Sequence, residues 1–562
     1  MDASSPRTLD TEARIALLLI GLSVLAVALA FLWPAFSEFP MDDAYIHFVY
    51  ARNLAEYGKL MFNVPGEKGV GTSSPLWTFL LAGGHTAGIP LHLLAKALGI
   101  SALILTAFAL YLLLRPLWGT VAALGGALAS ALSGPMVWFS LSGMETALFL
   151  ALGLLALLAY RAGRYACMGL LLGLLTLTRP EGLALALGIA IVDLWRLRRV
   201  SRSLLLAGFL CALVAVPWFV YVYFRTGYLL PTSGISKHFT ATMGARIVAG
   251  QNPFLGSLVS LSPLMYLGLW VGYLVEFVLG GMTLPPPRLP VGALAGNPHY
   301  TLSLWAIPVL VGMVGPLLWS ARRAWSVRRW AVAIHDPFRR PWVVFLLWLV
   351  LHNVSYAFFL PVPGTASRYG AINHVALWTG LVAGLLAWSH RPFLQRAWTL
   401  GLALLLAATI VFWNGVYDAN LEHMEQVRIA AARYIRNHLP PGEPCAAFDI
   451  GAVRFFGERP IIDLYGLVDP EVGDWFFRGE MDRFLLVKGV RCLVLPDRPG
   501  TTADGLFEIG TLAGLTNSPL LSLQQLALFE IRPDRWLQGY LPTLNYQAAV
   551  AVYRVVPAQS AR

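Results

Sequence analysis

IALLLIGLSVLAVALAFLWPAF (residues 15–36) carries no charged side chain, and the chain turns polar directly after it, in SEFPMDDAYIHFVYARNLAEYG (37–58). About 20 apolar residues are what a helix needs to cross a bilayer. The run is too long for a signal-peptide core and has no clear small-residue cleavage site, so it is expected to persist as a first span. Similar runs recur as far as Trp413. The whole composition agrees: 57% of residues are hydrophobic, 13% are charged and the mean hydropathy is +0.64. Ordinary soluble domains carry about 25% charge, and a single soluble core rarely grows beyond roughly 250–300 residues. A chain of 562 residues with so few charges is expected to be a polytopic membrane protein.

The net charge of +11 acquires its meaning from its location. Residues 417–562 hold 14 Lys+Arg against 17 Asp+Glu, which leaves 27 against 13 for the rest. Much of the basic excess sits in short loops, at Arg196, Arg198, Arg199 and Arg202 and again at Arg322, Arg323, Arg328, Arg329, Arg339 and Arg340. Short basic loops stay on the cytoplasmic side. Nucleic-acid binding is therefore not expected, and the basic loops orient the spans. Arg7 and Arg14 place the N-terminus inside.

About 11 spans follow: 15–35, two net crossings within 75–134, then 144–160, 165–178, 181–195, 203–224, 301–320, 341–361, 372–389 and 397–416. In the second group the piece at 75–88 is expected to dip in from outside, ahead of runs at 92–114 and 117–134. Residues 1–416 are then an all-α membrane domain with outer loops at 37–74 and 225–300, the latter with an apolar part at 254–282. Residues 417–562 turn globular. A helical pattern covers Leu421–His438, strand-like runs lie at 445–449, 460–464 and 491–496, and apolar runs at 520–531 and 546–556. That pattern predicts a small extracytoplasmic α/β domain. Cys445 and Cys492 fall in its strand-like runs, as small buried hydrophobes or as a disulfide. No CxxC or HExxH spacing occurs.

Asp42 and Asp43 are the first candidates for chemistry. Adjacent carboxylates repel, which raises one pKa and suits a general base. Their side chains project differently, so distinct roles are expected. The residues that follow have the pattern of an amphipathic helix lying along the membrane interface, on which Asp43 and His47 share a face. The alternative is that one aspartate only caps that helix. A divalent cation could be held by the pair, since carboxylates are hard oxygen ligands, although the spacing does not require one.

The stretch MDDAYIHFVYARNLAEYGKLMFNVPGEKGVGTSSPLW (41–77) resembles the first outer loop of GT-C membrane glycosyltransferases, most of all the branch of the mycobacterial terminal arabinofuranosyltransferase. Further pieces match in family order: SLSGMETALF (140–149), TLTRPEG (176–182), the stretch containing Gly227, Leu230, Pro231 and Lys237, SRYG (367–370) and AAFDIGAVRFFGERPIIDLYGLVDP (446–470). The sequence departs from the pattern at Val70, where an acidic residue is usual, and at Thr232, Ser233 and Ser236.

The resemblance implies transfer of a sugar from a polyprenyl-phosphate donor to a hydroxyl of a cell-envelope glycan or lipid, at the outer face of the inner (plasma) membrane. Under it Asp42 is expected as general base, with Asp43 orienting the acceptor. Lys237, Arg368 and, in second rank, Arg179 are expected to bind the donor phosphate, as cations that meet growing negative charge. His47, Glu145, Glu181 and Asp463 are expected in acceptor or supporting roles. Each has a bland alternative: an interfacial anchor for Lys237 and Arg368, a helix boundary for Arg179-Pro180-Glu181, a helix cap for Glu145, and a turn for Asp449, Asp463 and Asp469. Two other classes stay open: a transporter or flippase of lipid-linked sugars, and an envelope assembly protein whose outer domain binds a partner. Against the flippase, no inverted repeat is visible and the polar candidates gather at one face.

Overall fold

The computed structural model describes residues 10–33, 35–64, 69–237, 288–289, 302–303, 332–359, 364–387, 392–496, 515, 518–543 and 548–558. All but two residues of the expected span at 301–320, the segment at 254–282 and most of the loop 225–300 lie outside these residues, as does the glycine-containing piece 65–68.

Helix α1 (Thr11–Leu32) opens at Asp10, whose carboxylate accepts the Ala13 N–H at 2.9 Å. Its apolar run matches the quoted stretch. Helices α2 (Asp42–Tyr57) and α3 (Pro75–Thr86) follow, and the 12 residues of α3 are too few to span. The two apolar runs of 92–134 form one helical run, α4 (Leu91–Leu132), that breaks at Gly119 (φ 76°, ψ 174°). Pro116 and a left-handed glycine supply the break. Arg115 beside it pairs with Asp10 at 2.5 Å, tying the start of α1 to the kink.

Helices α5 (Gly134–Leu141) and α6 (Thr146–Arg161) meet at a bend of 108°. The corner needs Gly143 (φ 80°), where a Cβ would sit 2.6 Å from the Phe39 ring and 2.8 Å from Ala44 Cβ. Helix α7 (Tyr165–Thr178) ends at an extended Arg179, and a single turn at Pro180–Gly182 leads into α8 (Leu183–Leu197). Helix α9 (Arg202–Thr226) is capped by Ser201 Oγ and stops at Gly227 (φ 77°). Helices α10 (Arg340–Phe359), α11 (Ala371–Ala387) and α12 (Pro392–His423) complete the apolar part. Among the described residues five helices are long and apolar enough to cross a membrane, or six with the bent α5–α6 pair.

No loop separates the apolar part from the C-terminal part. α12 runs through residues 416–417 and passes through a π-helical turn (Met424–Ile429) into α13 (Ala430–His438). Beyond it lies a mixed sheet built from β1 (Cys445–Ala447), β2 (Ile461–Asp463), β3 (Cys492–Pro496), β4 (Leu521–Glu530) and β5 (Ala549–Pro557), in the order β2-β1-β3-β5-β4. The first three strands are parallel, and β5 pairs antiparallel with both β3 and β4. All three strand-like runs and both apolar runs of the sequence are strands. Cys445 and Cys492 are register partners on β1 and β3, and both are buried free thiols.

Helix α2 departs from the expected surface-lying amphipathic helix. Ala44, Tyr45, Phe48 and Ala51 pack into the core of the apolar body. Ile46, Val49 and Tyr50 pack into a second core with Ala447, Val494 and Val552 of the sheet. The helix is buried on both sides because the C-terminal domain lies over its second face. Each large apolar side chain so buried is worth about 1.5–3 kcal/mol, so α2 joins the two parts of the molecule.

Candidate functional site

Both aspartates occupy the first turn of α2, where negative charge suits the helix dipole. Neither caps that helix: the N-cap is Met41 and makes no side-chain bond there. Their carboxylates diverge. Asp42 is 2% exposed and accepts the Gly451 N–H on Oδ2 and the Ala452 N–H on Oδ1, each at 2.7 Å. These amides open α14 (Gly451–Gly457) of the C-terminal domain. Gly451 is required there, since a Cβ would lie 2.2 Å from the Asp42 carbonyl oxygen. Burial first, then the charge of Asp449, pushes the Asp42 carboxyl up to about 7, against the pull of Arg428 and the two amides. Asp449 itself is paired with Arg428 at 2.6 Å.

Asp43 faces the other way. Its Oδ2 takes both Arg368 Nη2 and Lys237 Nζ, the latter at 3.4 Å. Burial alone would raise its pKa, but Lys237 and Arg368 outweigh that and hold the carboxyl below the usual carboxylate range. Three separate elements bring these groups together. Lys237 lies in helical backbone with residues 232–236, which is fastened twice: Thr232 exchanges bonds with Val70 at 3.0 Å through its N–H and its Oγ1, and Ser236 Oγ donates to the Tyr465 carbonyl. Of the residues that depart from the resembled pattern, Thr232 and Ser236 thus fasten the turn with their side chains, and Val70 meets Thr232 through its backbone. Arg368 follows Ala366 and Ser367, both left-handed (φ 57° and 55°), a backbone that costs non-glycine residues about 1–3 kcal/mol each.

Tyr369 is the residue that sequence reasoning missed, although it stands in the quoted SRYG. Its hydroxyl accepts from Lys237 Nζ at 3.0 Å and Arg368 Nη2 at 3.4 Å. Its ring lies 4.4 Å from the Arg179 guanidinium and 4.9 Å from that of Arg368, within cation–π range. The signal was an aromatic residue directly after a candidate cation.

Behind that ring Arg179 is fully engaged. Nη1 donates to Glu145 Oε1 at 2.8 Å, Nε to Glu181 Oε1 at 2.5 Å and Nη2 to the Tyr356 hydroxyl at 2.5 Å. Glu145 sits at the α5–α6 corner, in the N-cap position of α6, where it makes no capping bond and so is free to hold Arg179. Its Oε2 is 4.0 Å from His47 Nε2 and has no hydrogen-bond partner among the described residues. His47 Nδ1 lies 3.1 Å from Thr78 Oγ1 and 3.2 Å from Thr72 Oγ1. Burial lowers the His47 pKa, with Glu145 and Asp43 opposing.

One connected network therefore joins Asp43, Lys237, Arg368, Tyr369, Arg179, Glu181, Glu145 and His47. Asp42 and Asp463 lie outside it. Asp463 accepts the Tyr465 N–H at 2.8 Å and the Val468 N–H at 2.7 Å, which is a turn. Burial pushes its carboxyl up to about 6. That turn presses Val468 against Gly69 and Gly71: a Cβ on Gly69 would lie 1.8 Å from the Val468 carbonyl oxygen.

The donor set does not fit a divalent cation shared by Asp42 and Asp43. Asp42 turns both oxygens to the amides of Gly451 and Ala452 while Asp43 turns Oδ2 to two cations, so the two carboxylates do not converge on one shared cation. Among the described residues no three of His, Cys, Asp and Glu gather in a metal-binding arrangement.

No curated protein matches the chain. Residues 417–551 match a family described as a domain of unknown function (DUF8728). Among solved structures the chain is similar to ArnT from Cupriavidus metallidurans in the apo state, 15% identical over 96% of this chain and 97% of that one, with TM-score 0.52. It is also similar to the Archaeoglobus fulgidus oligosaccharyltransferase, 13% identical over 86% of this chain and 69% of that one, with TM-score 0.53. Arabinofuranosyltransferase AftD from Mycobacteria aligns at 16% identity over 96% of this chain and 40% of its own, but with TM-score 0.41, too low to favour that branch. The chain thus has a fold similar to that of GT-C membrane glycosyltransferases.

Proposed function

We propose that the protein transfers a sugar from a polyprenyl-phosphate donor to an acceptor hydroxyl, with Asp43 as the general base and Lys237 and Arg368 as the donor-phosphate site. The observation that carries this is the meeting of one carboxylate and two cations, from three distant parts of the chain, beside the Tyr369 hydroxyl. ArnT, which shares the fold, has been solved with undecaprenyl phosphate bound, and that agrees with a lipid-phosphate donor. The acceptor hydroxyl gives its proton to Asp43, its oxygen bonds to the anomeric carbon, and the bond from that carbon to the phosphate oxygen breaks. The electron pair leaves on the lipid phosphate, where Arg368 and Lys237 meet the new charge. A single displacement inverts the anomeric centre. Arg179, Glu145, Glu181 and His47 act as positioning residues through Tyr369 and α2. We place the site at the outer membrane face, with the N-terminus cytoplasmic and the C-terminal α/β domain extracytoplasmic, an orientation that about eleven crossings would give with the basic loops inside.

A second assignment keeps Asp42 as the base, as the sequence suggested. It is favoured by a carboxyl pKa of about 7, close to the working pH of a base. Geometry weighs against it, because both oxygens already accept amides.

The donor site is tested by binding undecaprenyl phosphate to the full chain in lipid nanodiscs. Arg368→Ala and Lys237→Met are each expected to weaken binding by about 10–100-fold, the worth of one charge-assisted bond. Unchanged affinity in both would remove the phosphate assignment. Movement of the lipid between leaflets, without transfer to any of a panel of glycan and lipid acceptors, would favour the flippase. The charge on the leaving phosphate is met here by side chains, so transfer is expected to persist in excess EDTA. Loss of activity that returns with added Mg²⁺ or Mn²⁺ would reject this.

A further inference from the structure

Asp43 presents its two carboxylate oxygens unequally. Oδ2 receives both cations, while Oδ1 has no partner among the described residues. The cations are only partly engaged. Arg368 is 3% exposed, its Nε has no partner among the described residues, and its Nη1 reaches only the Met41 sulfur at 3.8 Å. The Lys237 side chain is 23% exposed and that of Asp43 21%, so both are accessible to a ligand. Arg179 adds no free positive charge, because Glu145 and Glu181 both hold it. Around Asp43 itself, one carboxylate thus faces two cations.

We propose that the donor phosphate displaces Asp43 from Lys237 and Arg368, so that the carboxylate is released to an acceptor only when a lipid phosphate is in place. The proposal rests on the donor-phosphate reading above and adds an order of events to it. A carboxylate tied to two cations is a weak base, and the phosphate, which carries charge on several oxygens, can take both cations at once. The charge count agrees. A sugar phosphodiester (one negative charge) with ionised Asp43 neutralises the two cations. After transfer Asp43 carries the acceptor's proton and is neutral, while the lipid phosphate is a monoester with up to two negative charges. Negative charge thus grows on the phosphate as Asp43 becomes neutral, so at the end of the reaction the cations face the phosphate alone. Without a lipid phosphate the base stays tied to them, which guards against premature proton transfer.

Competition makes the test quantitative. Undecaprenyl phosphate is titrated into the full chain in nanodiscs, with undecaprenol as the uncharged control. Asp43→Asn removes the competing carboxylate and is expected to bind the phosphate about tenfold more tightly, the order of one charge-assisted bond, with undecaprenol unaffected. Equal or weaker binding by Asp43→Asn, while Arg368→Ala still weakens it, overturns the gating and leaves the donor site standing. Unchanged binding in both Arg368→Ala and Lys237→Met removes the donor site and the gating with it. Should Asp43→Asn fail to fold, the unsubstituted protein supplies a second measurement: carbodiimide-driven amidation of Asp43, read by peptide mass spectrometry. Release predicts faster labelling with undecaprenyl phosphate bound, and equal or slower labelling overturns it.

Discussion

Asp43→Asn is expected to lower kcat for sugar transfer by about 10³-fold, within the range a positioned base contributes, while the protein folds as before. Asparagine has nearly the same volume and keeps an oxygen for Arg368 and Lys237, but it cannot take a proton. The measurement uses a panel of polyprenyl-phosphate pentoses and hexoses, arabinofuranose among them, with thermal unfolding of the same preparation as the control. Asp42→Asn, assayed beside it, is expected to retain most of its turnover. If Asp42→Asn abolishes transfer and Asp43→Asn does not, the two roles exchange and the neutral-range carboxyl is the base.

Asp42→Ala is expected to lose stability instead, by about 2–4 kcal/mol. It leaves the Gly451 and Ala452 amides buried without an acceptor, at about 1–3 kcal/mol each. The loss is read from the thermal midpoint and from protease sensitivity of the C-terminal domain. A pH signature accompanies it. Burial raises the Asp42 pKa to about 7 in the folded protein, against about 3.9 when unfolded. Between these values the folded state binds the extra proton, so this stabilisation is present at acid pH and is lost as pH rises towards 7. Asp43 has the opposite sign: its pKa is depressed in the folded protein, so its contribution is present above about pH 4 and disappears only in stronger acid. Asp42 therefore contributes a fall of the midpoint between pH 5 and pH 8, which Asp42→Asn should remove, making the pH dependence of the variant less negative than that of the native protein. An identical slope in the variant would place the titrating group elsewhere.

Much of this site was legible before any coordinates. The resemblance of residues 41–77, 140–149, 176–182 and 367–370 gathered Asp43, His47, Glu145, Arg179, Glu181 and Arg368, and Lys237 came from the stretch after α9. All seven fall in one network. Asp463 was assigned a supporting role, with a turn as its alternative, and its two short bonds to backbone amides are those of a turn. The division of labour between Asp42 and Asp43 was not legible. Consecutive helical side chains point about 100° apart, and nothing local says which direction faces the cations.

Hydropathy and basic loops determined the class of the protein, because the cost of burying a charge in lipid is paid residue by residue and can be read in a window. Three strands of the C-terminal domain were legible as strand-like runs and the other two only as apolar runs, since runs of this kind are local. Only tertiary structure decided that α2 is sandwiched between two cores, that Asp42 caps a helix 409 residues away, and that Asp43 meets a lysine 194 and an arginine 325 residues distant. An ion pair depends on distances of a few ångströms, and such distances exist only once the chain has packed.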